Sequence, residues 1–249
     1  MKHPKKRALA LALTLAMSLT VPALAAEDTA ETADPVEAAL AAAETYGATT
    51  SIQYALWKDG EIVSTGGSGV YSKPENRALT DDILYGEGAV SKIYTTVAVL
   101  QLAEKHRLSL DAPVTRYLKD FKMADPRYKD ITVRRLLNHS SGIMGTGIGG
   151  AMLFGEEDTS ATDGLLESLS TQRLVADPGA YSVYCNDGFT LAELVVEAVS
   201  GLDFMDYVDK YILDPIGLDD TFAPGGDFDV SRLAKTYRGD DTRALPADS

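Results

Sequence analysis

The stretch Gly88-Ala89-Val90-Ser91-Lys92 opens the most apolar helix that the sequence predicts. From residue 89 to about residue 105, apolar side chains fall on nearly every face of the helical repeat. They are Val90, Ile93, Val97, Val99, Leu100 and Leu102. Because a helix that is apolar all round is typical of a protein interior, we expect this segment to form a central, buried helix.

Lys92 is the residue that fits this helix least well as a structural element. It lies in the first turn, where the helix dipole disfavours a cation. Burial and a helix N terminus both favour the neutral amine, which a lysine general base requires. Positions 89 and 92 share one helical face, so a hydroxyl at 89 would meet the amine, but the sequence has Ala89 there. The alternative interpretation is a lysine that snorkels to solvent from the helix edge.

The segment before this helix predicts an antiparallel β-hairpin. Ile52, Tyr54 and Leu56 alternate with polar or small neighbours, and Asp59-Gly60 is a strong hairpin-turn signal. The return strand runs from residue 62 to about residue 71. A proline-started, alanine-rich segment before the hairpin, ending near residue 47, predicts a short surface helix.

The rest of the chain predicts helices, with few strand signals after residue 80. Helices are expected at 133–138, at 165–171, at 190–200 with Gly201 as its stop, and at 204–213 before Asp214-Pro215. The sequence therefore predicts a mixed α/β fold of the α+β kind, with an antiparallel sheet flanked by helices and a mostly helical region.

A second polar group lies in Tyr184-Cys185-Asn186, just ahead of the helix expected from residue 190. Residues two apart in an extended segment face the same way, so Tyr184 offers a phenol for proton transfer and Asn186 an amide for a substrate carbonyl. A turn with a packed aromatic residue is the plainer alternative. Cys185 points to the other side and is interpreted as a small buried residue.

The N-terminal 25 residues have the features of a secretory signal peptide. A basic end is followed by an apolar run at 8–21 and by Ala23-Leu24-Ala25, a small-x-small cleavage site. The run is too short and wrongly flanked for a membrane span. We expect residues 26–249 to form a single exported domain, secreted or retained in the cell envelope.

Composition narrows the partners of this domain. Residues 1–25 contain four of the 23 Lys and Arg residues and none of the 37 Asp and Glu residues, so residues 26–249 carry a net charge of −18. This surplus of negative charge argues against nucleic acid as a partner. No metal and no cofactor are expected, because no His or Cys residues have metal-ligand spacing and the glycine string at 145–150 follows no strand.

Four stretches together carry a family resemblance. They are residues 88–92, residues 108–114 (Leu-Ser-Leu-Asp-Ala-Pro-Val), residues 132–142 (Thr-Val-Arg-Arg-Leu-Leu-Asn-His-Ser-Ser-Gly), and Pro178-Gly179 followed by Tyr184-Cys185-Asn186. In order and spacing they resemble the class C β-lactamase and D-alanyl-D-alanine carboxypeptidase family of penicillin-binding-protein-like serine hydrolases. The resemblance runs from about residue 50 to the end of the chain.

The resemblance implies a fold, a reaction and a set of site residues. It implies the β-lactamase/transpeptidase fold and acyl-enzyme chemistry on D-Ala-D-Ala-like peptides, β-lactams or esters. It assigns Lys92 and Tyr184 as the acid–base pair, Asn186 as a substrate ligand and Ala89 to the nucleophile position, where the family has serine. The family's later Lys/His-x-Gly strand has only Lys235-Thr236-Tyr237 as a counterpart, so the C-terminal strands are expected to be missing and the domain truncated.

Two hypotheses follow for function. The first is an exported β-lactamase-related serine hydrolase that is inactive or impaired as written because of Ala89. The alternative is a non-catalytic binding protein of the cell envelope, a pseudoenzyme whose Lys92, Tyr184 and Asn186 hold peptidoglycan stem peptides.

Overall fold

A computed structural model describes residues 35–47, 50–145, 161–223 and 226–237. The principal elements in chain order are α1 (Pro35–Gly47), β1 (Ser51–Lys58), β2 (Glu61–Ser72), β3 (Arg77–Ala78), α2 (Lys92–Glu104), α3 (Val133–Leu137), α4 (Ala161–Ser170), α5 (Asn186–Ser200), α6 (Phe204–Val208) and α7 (Asp214–Ile216). Short 3-10 helices occur at Gly88–Ser91, Val114–Arg116, Pro126–Asp130 and Val230–Arg232, and a π-helical stretch at Asp209–Leu213. The predicted signal peptide and the glycine string beyond Gly145 lie outside the described residues.

The expected hairpin is confirmed. Strands β1 and β2 pair antiparallel from the Ser51–Gly69 pair to the Lys58–Glu61 pair, and Asp59 and Gly60 both have positive φ in the turn. The structure adds the two-residue strand β3 on the other edge of β2, giving the order β1-β2-β3. Helix α1 packs against this sheet and is exposed along most of its length, as expected for a surface helix.

The chain returns to this sheet after the helical body. Leu84 and Leu233 form a parallel bridge, and the backbone N–H of Lys235 donates to the Tyr71 carbonyl at 3.1 Å. The Tyr237 hydroxyl accepts from the backbone N–H of Lys73 at 2.9 Å. The Lys235-Thr236-Tyr237 string therefore lies against β2, beside a small apolar cluster of Tyr71, Ile83 and Ala234.

Helix α5 is the centre of the helical body. Its residues Leu191, Ala192, Val195 and Val196 are completely buried, and α2, α3, α4 and α6 all pack against it. Removing this much apolar surface from water is the main stabilising contribution to such a body, at roughly 25 cal/mol per Å². Among the described residues, no helix is both long and apolar enough to cross a bilayer.

Helix α2 is buried on one side only, so the expectation of a fully enclosed helix is wrong. Thr95, Ala98, Val99 and Leu102 face α5 and α6 and are buried. The opposite face is open, and its residues Ile93 and Leu100 are 60% and 46% exposed. Val90, in the 3-10 turn just before α2, is 53% exposed. A helix that is apolar on all faces gives no indication of which faces other elements will pack against. In the part of the chain that the structure describes, only one face of α2 is covered.

The remaining helices agree with the sequence apart from their boundaries. Helix α5 begins at Asn186, four residues earlier than expected, because Cys185 serves as its N-cap by accepting from the backbone N–H of Gly188. It ends at the expected place, where Gly201 adopts the left-handed conformation of a helix C-cap. The segment expected at 204–213 is a helix throughout, α-helical at first and then π-helical.

Gly142 is held in a tight backbone crossing. It has a φ of +81°, and its carbonyl accepts from the backbone N–H of Val175 at 2.9 Å. A Cβ atom added to Gly142 would lie 2.4 Å from the carbonyl oxygen of Ala176. A residue with a side chain there must therefore displace one of the two segments. Gly201 has a similar φ of +78°, yet a Cβ atom there would meet nothing within 4 Å.

We predict that Gly142→Ala lowers the free energy of unfolding by about 3 kcal/mol or more, since a left-handed alanine and a backbone collision both contribute. Gly201→Ala is the matched control and should cost about 1 kcal/mol, the conformational part alone. Urea unfolding curves of the three proteins measure both losses. Equal losses of unfolding free energy in the two variants would show that the backbone segments at residues 142 and 176 move apart without an energetic cost.

Candidate active site

The site begins where a 3-10 turn becomes helix α2. The turn Gly88–Ser91 precedes Lys92, whose backbone N–H points to the carbonyl oxygen of Ala89. Ala89 is exposed and the Lys92 side chain is half-buried, so burial of Lys92 is less than the sequence led us to expect. Residues 89 and 92 lie on consecutive turns of the same face, the placement that the spacing predicted.

The Lys92 side chain contacts Asn186, a residue far from it in the sequence. Lys92 Nζ donates to Asn186 Oδ1 at 2.7 Å across a sequence separation of 94 residues. Asn186 is the first residue of α5, so the two residues start two helices that pack against each other. Both helix dipoles disfavour a cation at this point, and the amide oxygen offsets part of that cost.

Aromatic rings complete the surroundings of the ammonium. Lys92 Nζ lies 4.9 Å from the centre of the Tyr184 ring and 5.5 Å from that of Phe189, within the range of a cation–π contact. The Lys92 amine is thus directed at Tyr184 and Asn186, where the snorkelling alternative would send it to solvent. The structure brings Lys92, Tyr184 and Asn186 together and places Ala89 on the adjacent turn. Their catalytic roles stay predictions.

His139 supports Tyr184. Its ring centre lies 4.6 Å from that of Tyr184 and 5.0 Å from that of Phe189. The backbone N–H of Cys185 donates to His139 Nδ1 at 3.1 Å, and the backbone N–H of Val183 donates to the His139 carbonyl at 2.8 Å. These two hydrogen bonds join Val183 and Cys185, the residues on either side of the half-exposed Tyr184, to His139.

The electrostatics around His139 favour its neutral form. Burial, aided by the positive charge of Lys92, lowers the pKa of the His139 imidazole. Because Nδ1 accepts a hydrogen bond, the neutral ring carries its proton on Nε2. His139 belongs to the stretch 132–142 of the family resemblance, and the sequence alone gives it no role at the site. His139 has a left-handed φ of 58°, and no local sequence pattern predicts the contact of its ring with Tyr184.

Cys185 has the role that the sequence predicted. The side chain is buried, and Sγ donates to the Gly145 carbonyl at 3.1 Å and accepts from the backbone N–H of Gly188 at 3.3 Å. Burial raises the pKa of the Cys185 thiol to about 11. The thiol is therefore protonated at neutral pH and packs as a small apolar group.

The segment that carries Tyr184 differs in one respect from expectation. Cys185 is extended, with φ −142° and ψ 108°, but Asn186 already belongs to α5. The side chains of Tyr184 and Asn186 still both contact Lys92 Nζ, because α5 starts directly after Cys185. Within the described ranges, no group of three or more His, Cys, Asp or Glu residues is arranged to hold a metal ion.

We predict that Lys92→Met lowers the free energy of unfolding by at most about 1 kcal/mol, because the loss of this donor to the half-buried amide oxygen of Asn186 is partly offset by removal of the cation from two helix N termini. Lys92→Met combined with Asn186→Leu should recover part of the loss, and a double-mutant cycle gives the coupling. Lys122→Met, at an exposed lysine, is the control and should change stability by less than about 0.5 kcal/mol. Strict additivity of the two single changes would contradict a direct interaction.

Comparison with known proteins agrees with this geometry. The family model described as Beta-lactamase matches residues 21–249. Penicillin-binding protein 4 of Amycolatopsis lactamdurans is 31% identical over 170 residues, which cover 66% of this chain and 42% of that protein. Esterase EstB of Burkholderia gladioli is 28% identical over 178 residues, which cover 66% of this chain and 44% of that protein.

A solved structure shows the same fold. The octameric penicillin-binding protein homologue from Pyrococcus abyssi superimposes with a TM-score of 0.68 at 27% identity, covering 85% of this chain and 49% of that one. The chain thus spans less than half the length of each of these relatives. The helices around α5 and the antiparallel sheet are those of the β-lactamase/transpeptidase fold, and the chain belongs to the β-lactamase family.

Proposed function

We propose that this protein carries the recognition and acid–base groups of a β-lactamase-family serine hydrolase and forms no acyl-enzyme because Ala89 stands at the nucleophile position. The observation that carries the proposal is the hydrogen bond from Lys92 Nζ to Asn186 Oδ1 at 2.7 Å, one helical turn from Ala89. A cation placed at two helix N termini weakens both helices, so its position favours a functional interpretation.

Each group has a task in acyl transfer. An oxygen nucleophile at position 89 would pass its proton to the Lys92 amine as it attacks a carbonyl carbon. The Tyr184 hydroxyl would deliver a proton to the leaving group. Asn186 presents its amide oxygen to Lys92, and its Nδ2 group is the donor suited to a substrate carbonyl. With a methyl group at position 89 the carbonyl meets no nucleophile, and the bound substrate stays intact.

The substrate class follows from this chemistry. The groups fit a compact carbonyl electrophile with an adjacent amide or ester, which includes D-Ala-D-Ala-like peptides, β-lactams and small esters. Two relatives support the choice by name, one being a penicillin-binding protein and the other an esterase. No cofactor is required for the proposed step.

We predict that the protein incubated with benzylpenicillin shows no acyl adduct in its intact mass. Ala89→Ser should gain one adduct, because the substitution returns the missing oxygen beside Lys92. Lys92→Met in the Ala89→Ser background should slow acylation by about 100-fold to 10,000-fold, the usual contribution of a general base. Comparing the Ala89→Ser protein with the protein that also carries Lys92→Met separates the contribution of the nucleophile from that of the general base.

Two outcomes of this experiment would change the proposal. An adduct on the unaltered chain, mapped to Ser91 or another side chain, would contradict the loss of covalent chemistry at residue 89. A folded Ala89→Ser protein that is inert towards penicillin, a chromogenic β-lactam and an ester would favour the alternative of a binding protein for peptidoglycan stem peptides. Calorimetric titration with a D-Ala-D-Ala peptide against its L-Ala-L-Ala counterpart then measures that binding.

We further propose that the protein is exported. The support is the basic, apolar and small-residue order of the first 25 residues. Expressed with its own N terminus in a bacterial host, the protein should be recovered outside the cytoplasm with an N terminus near Ala26, which N-terminal sequencing detects. Protein that stays in the cytoplasm and begins with Met1 or Lys2 would contradict the proposal.

A further inference from the structure

A hydrogen bond connects His139 with the part of the chain that carries Tyr184 and starts α5. The backbone N–H of Cys185 donates to His139 Nδ1 at 3.1 Å. Cys185 also caps α5, because its Sγ accepts from the backbone N–H of Gly188 at 3.3 Å. Tyr184 directly precedes Cys185, and Asn186 directly follows it. The acceptor on His139 therefore holds the residue between the aromatic and the amide groups of the candidate site.

The ring of His139 also contacts the Tyr184 side chain. The ring centres are 4.6 Å apart with 36° between the ring planes, and the Phe189 ring lies 5.0 Å from the imidazole on α5. Tyr184 is 53% exposed, so its position depends on the groups that contact it on the protein side, of which His139 is one. A movement of the imidazole therefore reaches the phenol both by direct contact and through the backbone of Cys185.

Only the neutral imidazole can make the hydrogen bond to Cys185. Nδ1 accepts through its lone pair, whereas a protonated imidazole carries N–H groups on both nitrogens and accepts nothing. Protonation would set the Nδ1–H of His139 against the backbone N–H of Cys185, two donors at a distance of 3.1 Å. Either the ring or the Cys185 backbone would then have to move. The arrangement around Tyr184 thus depends on the charge of His139.

The surroundings of His139 favour the neutral ring. Burial, and then the positive charge of Lys92 on α2, lower the pKa of the His139 imidazole from its ordinary value of about 6.5. Arg134 of α3 is paired with Asp111, and Arg135 donates to the carbonyl of Asp130. The other titratable groups on the elements around the ring are Tyr184 and Cys185 before α5 and the buried Asp187 in its first turn. The neutral ring therefore predominates at neutral pH.

We propose that His139 is a positioning residue for Tyr184 and for the start of α5, which it holds in place by accepting the Cys185 N–H and releases when the imidazole is protonated. The geometry of the candidate site is thereby regulated by acid. The consequence for function, a loss of proton transfer by Tyr184 in mild acid, rests on the function proposed above.

The test observes the hydrogen-bonded groups directly, without substrate. Cys185 is the only cysteine of the sequence, so protein labelled with [¹⁵N]cysteine gives one amide signal. Labelling with [ε1-¹³C]histidine reports His139, whose signal is identified by its loss in His139→Asn. Both signals are followed by NMR from pH 8 to pH 4.5. We expect them to change with one common midpoint below pH 6.5, and nuclear Overhauser contacts between the rings of His139 and Tyr184 to weaken below that midpoint.

His139→Asn is the matched variant for the acceptor. Asparagine tolerates the left-handed backbone of residue 139, and its Oδ1 is an acceptor that does not titrate. The change in the Cys185 amide signal should vanish in this variant. It should persist in His106→Asn, because His106 has a similar left-handed φ of 54° but is exposed just after the end of α2.

A second variant keeps the proposal testable if His139→Asn does not fold. Lys92→Met removes the positive charge that lowers the pKa of His139. The midpoints of the His139 and Cys185 signals should therefore move together to higher pH.

Three results would overturn the proposal. The first is a His139 ring that stays neutral down to pH 4.5. The second is a Cys185 amide signal that stays constant while His139 titrates, or whose midpoint does not follow that of His139 in Lys92→Met. The third is a change that survives in His139→Asn. A failure of the proposed function is a separate result, because inert Ala89→Ser protein would leave these titrations unaltered.

Discussion

The packing of α2 against α5 is the constraint on which the candidate site depends. Both helices begin at the site, one with Lys92 and the other with Asn186, and both bury an apolar side in the same core. Burial of residues such as Val99 and Val195 fixes the distance between the helices, and only that distance allows the 2.7 Å contact between their first residues. The polar contact is therefore a consequence of apolar packing, which offsets the cost of a cation at two helix N termini.

Tyr184 is positioned by a different means. The segment that carries it runs alongside residues 139–142 and is joined to them by backbone hydrogen bonds, including Gly179 N–H to the Ser140 carbonyl at 2.7 Å. His139 then stacks against the Tyr184 ring, and its neutral Nδ1 holds the next backbone N–H. These contacts of His139 with Tyr184, Cys185 and Val183, here called the His139 clamp, depend on the backbone path of two segments. The left-handed conformations of His139 and Gly142 are part of that path.

Local patterns in the sequence account for much of the fold. The Asp59-Gly60 turn, the stop at Gly201 and the helix from 204 follow from turn and capping chemistry within a few residues. The contact between Lys92 and Asn186 spans 94 residues, and no periodicity predicts it. The family resemblance assigns both residues to one site, but it does not predict the hydrogen bond between them. The hydrogen bond from Thr95 Oγ1 on α2 to Glu193 Oε1 on α5 is not predictable from the sequence either, because a glutamate on an amphipathic helix is usually exposed.

The exposure of one apolar face of α2, and of the turn before it, also could not be predicted from local sequence patterns. Val90, Ile93 and Leu100 are apolar like their buried neighbours, and composition alone assigned them to the core. Which side of a helix is covered depends on elements distant in sequence.

Ala89 separates recognition from chemistry at this site. Residue 89 is exposed on a 3-10 turn, so a serine or an alanine there changes little in the packing of α2. Lys92, Tyr184 and Asn186 are held instead by the helix interface and by the His139 clamp, neither of which involves the side chain of residue 89. In the proposed function, the covalent step depends on a single oxygen atom, whereas binding is distributed over these three residues. A protein of this fold can consequently lose acylation by one substitution and keep the surroundings in which acylation would take place.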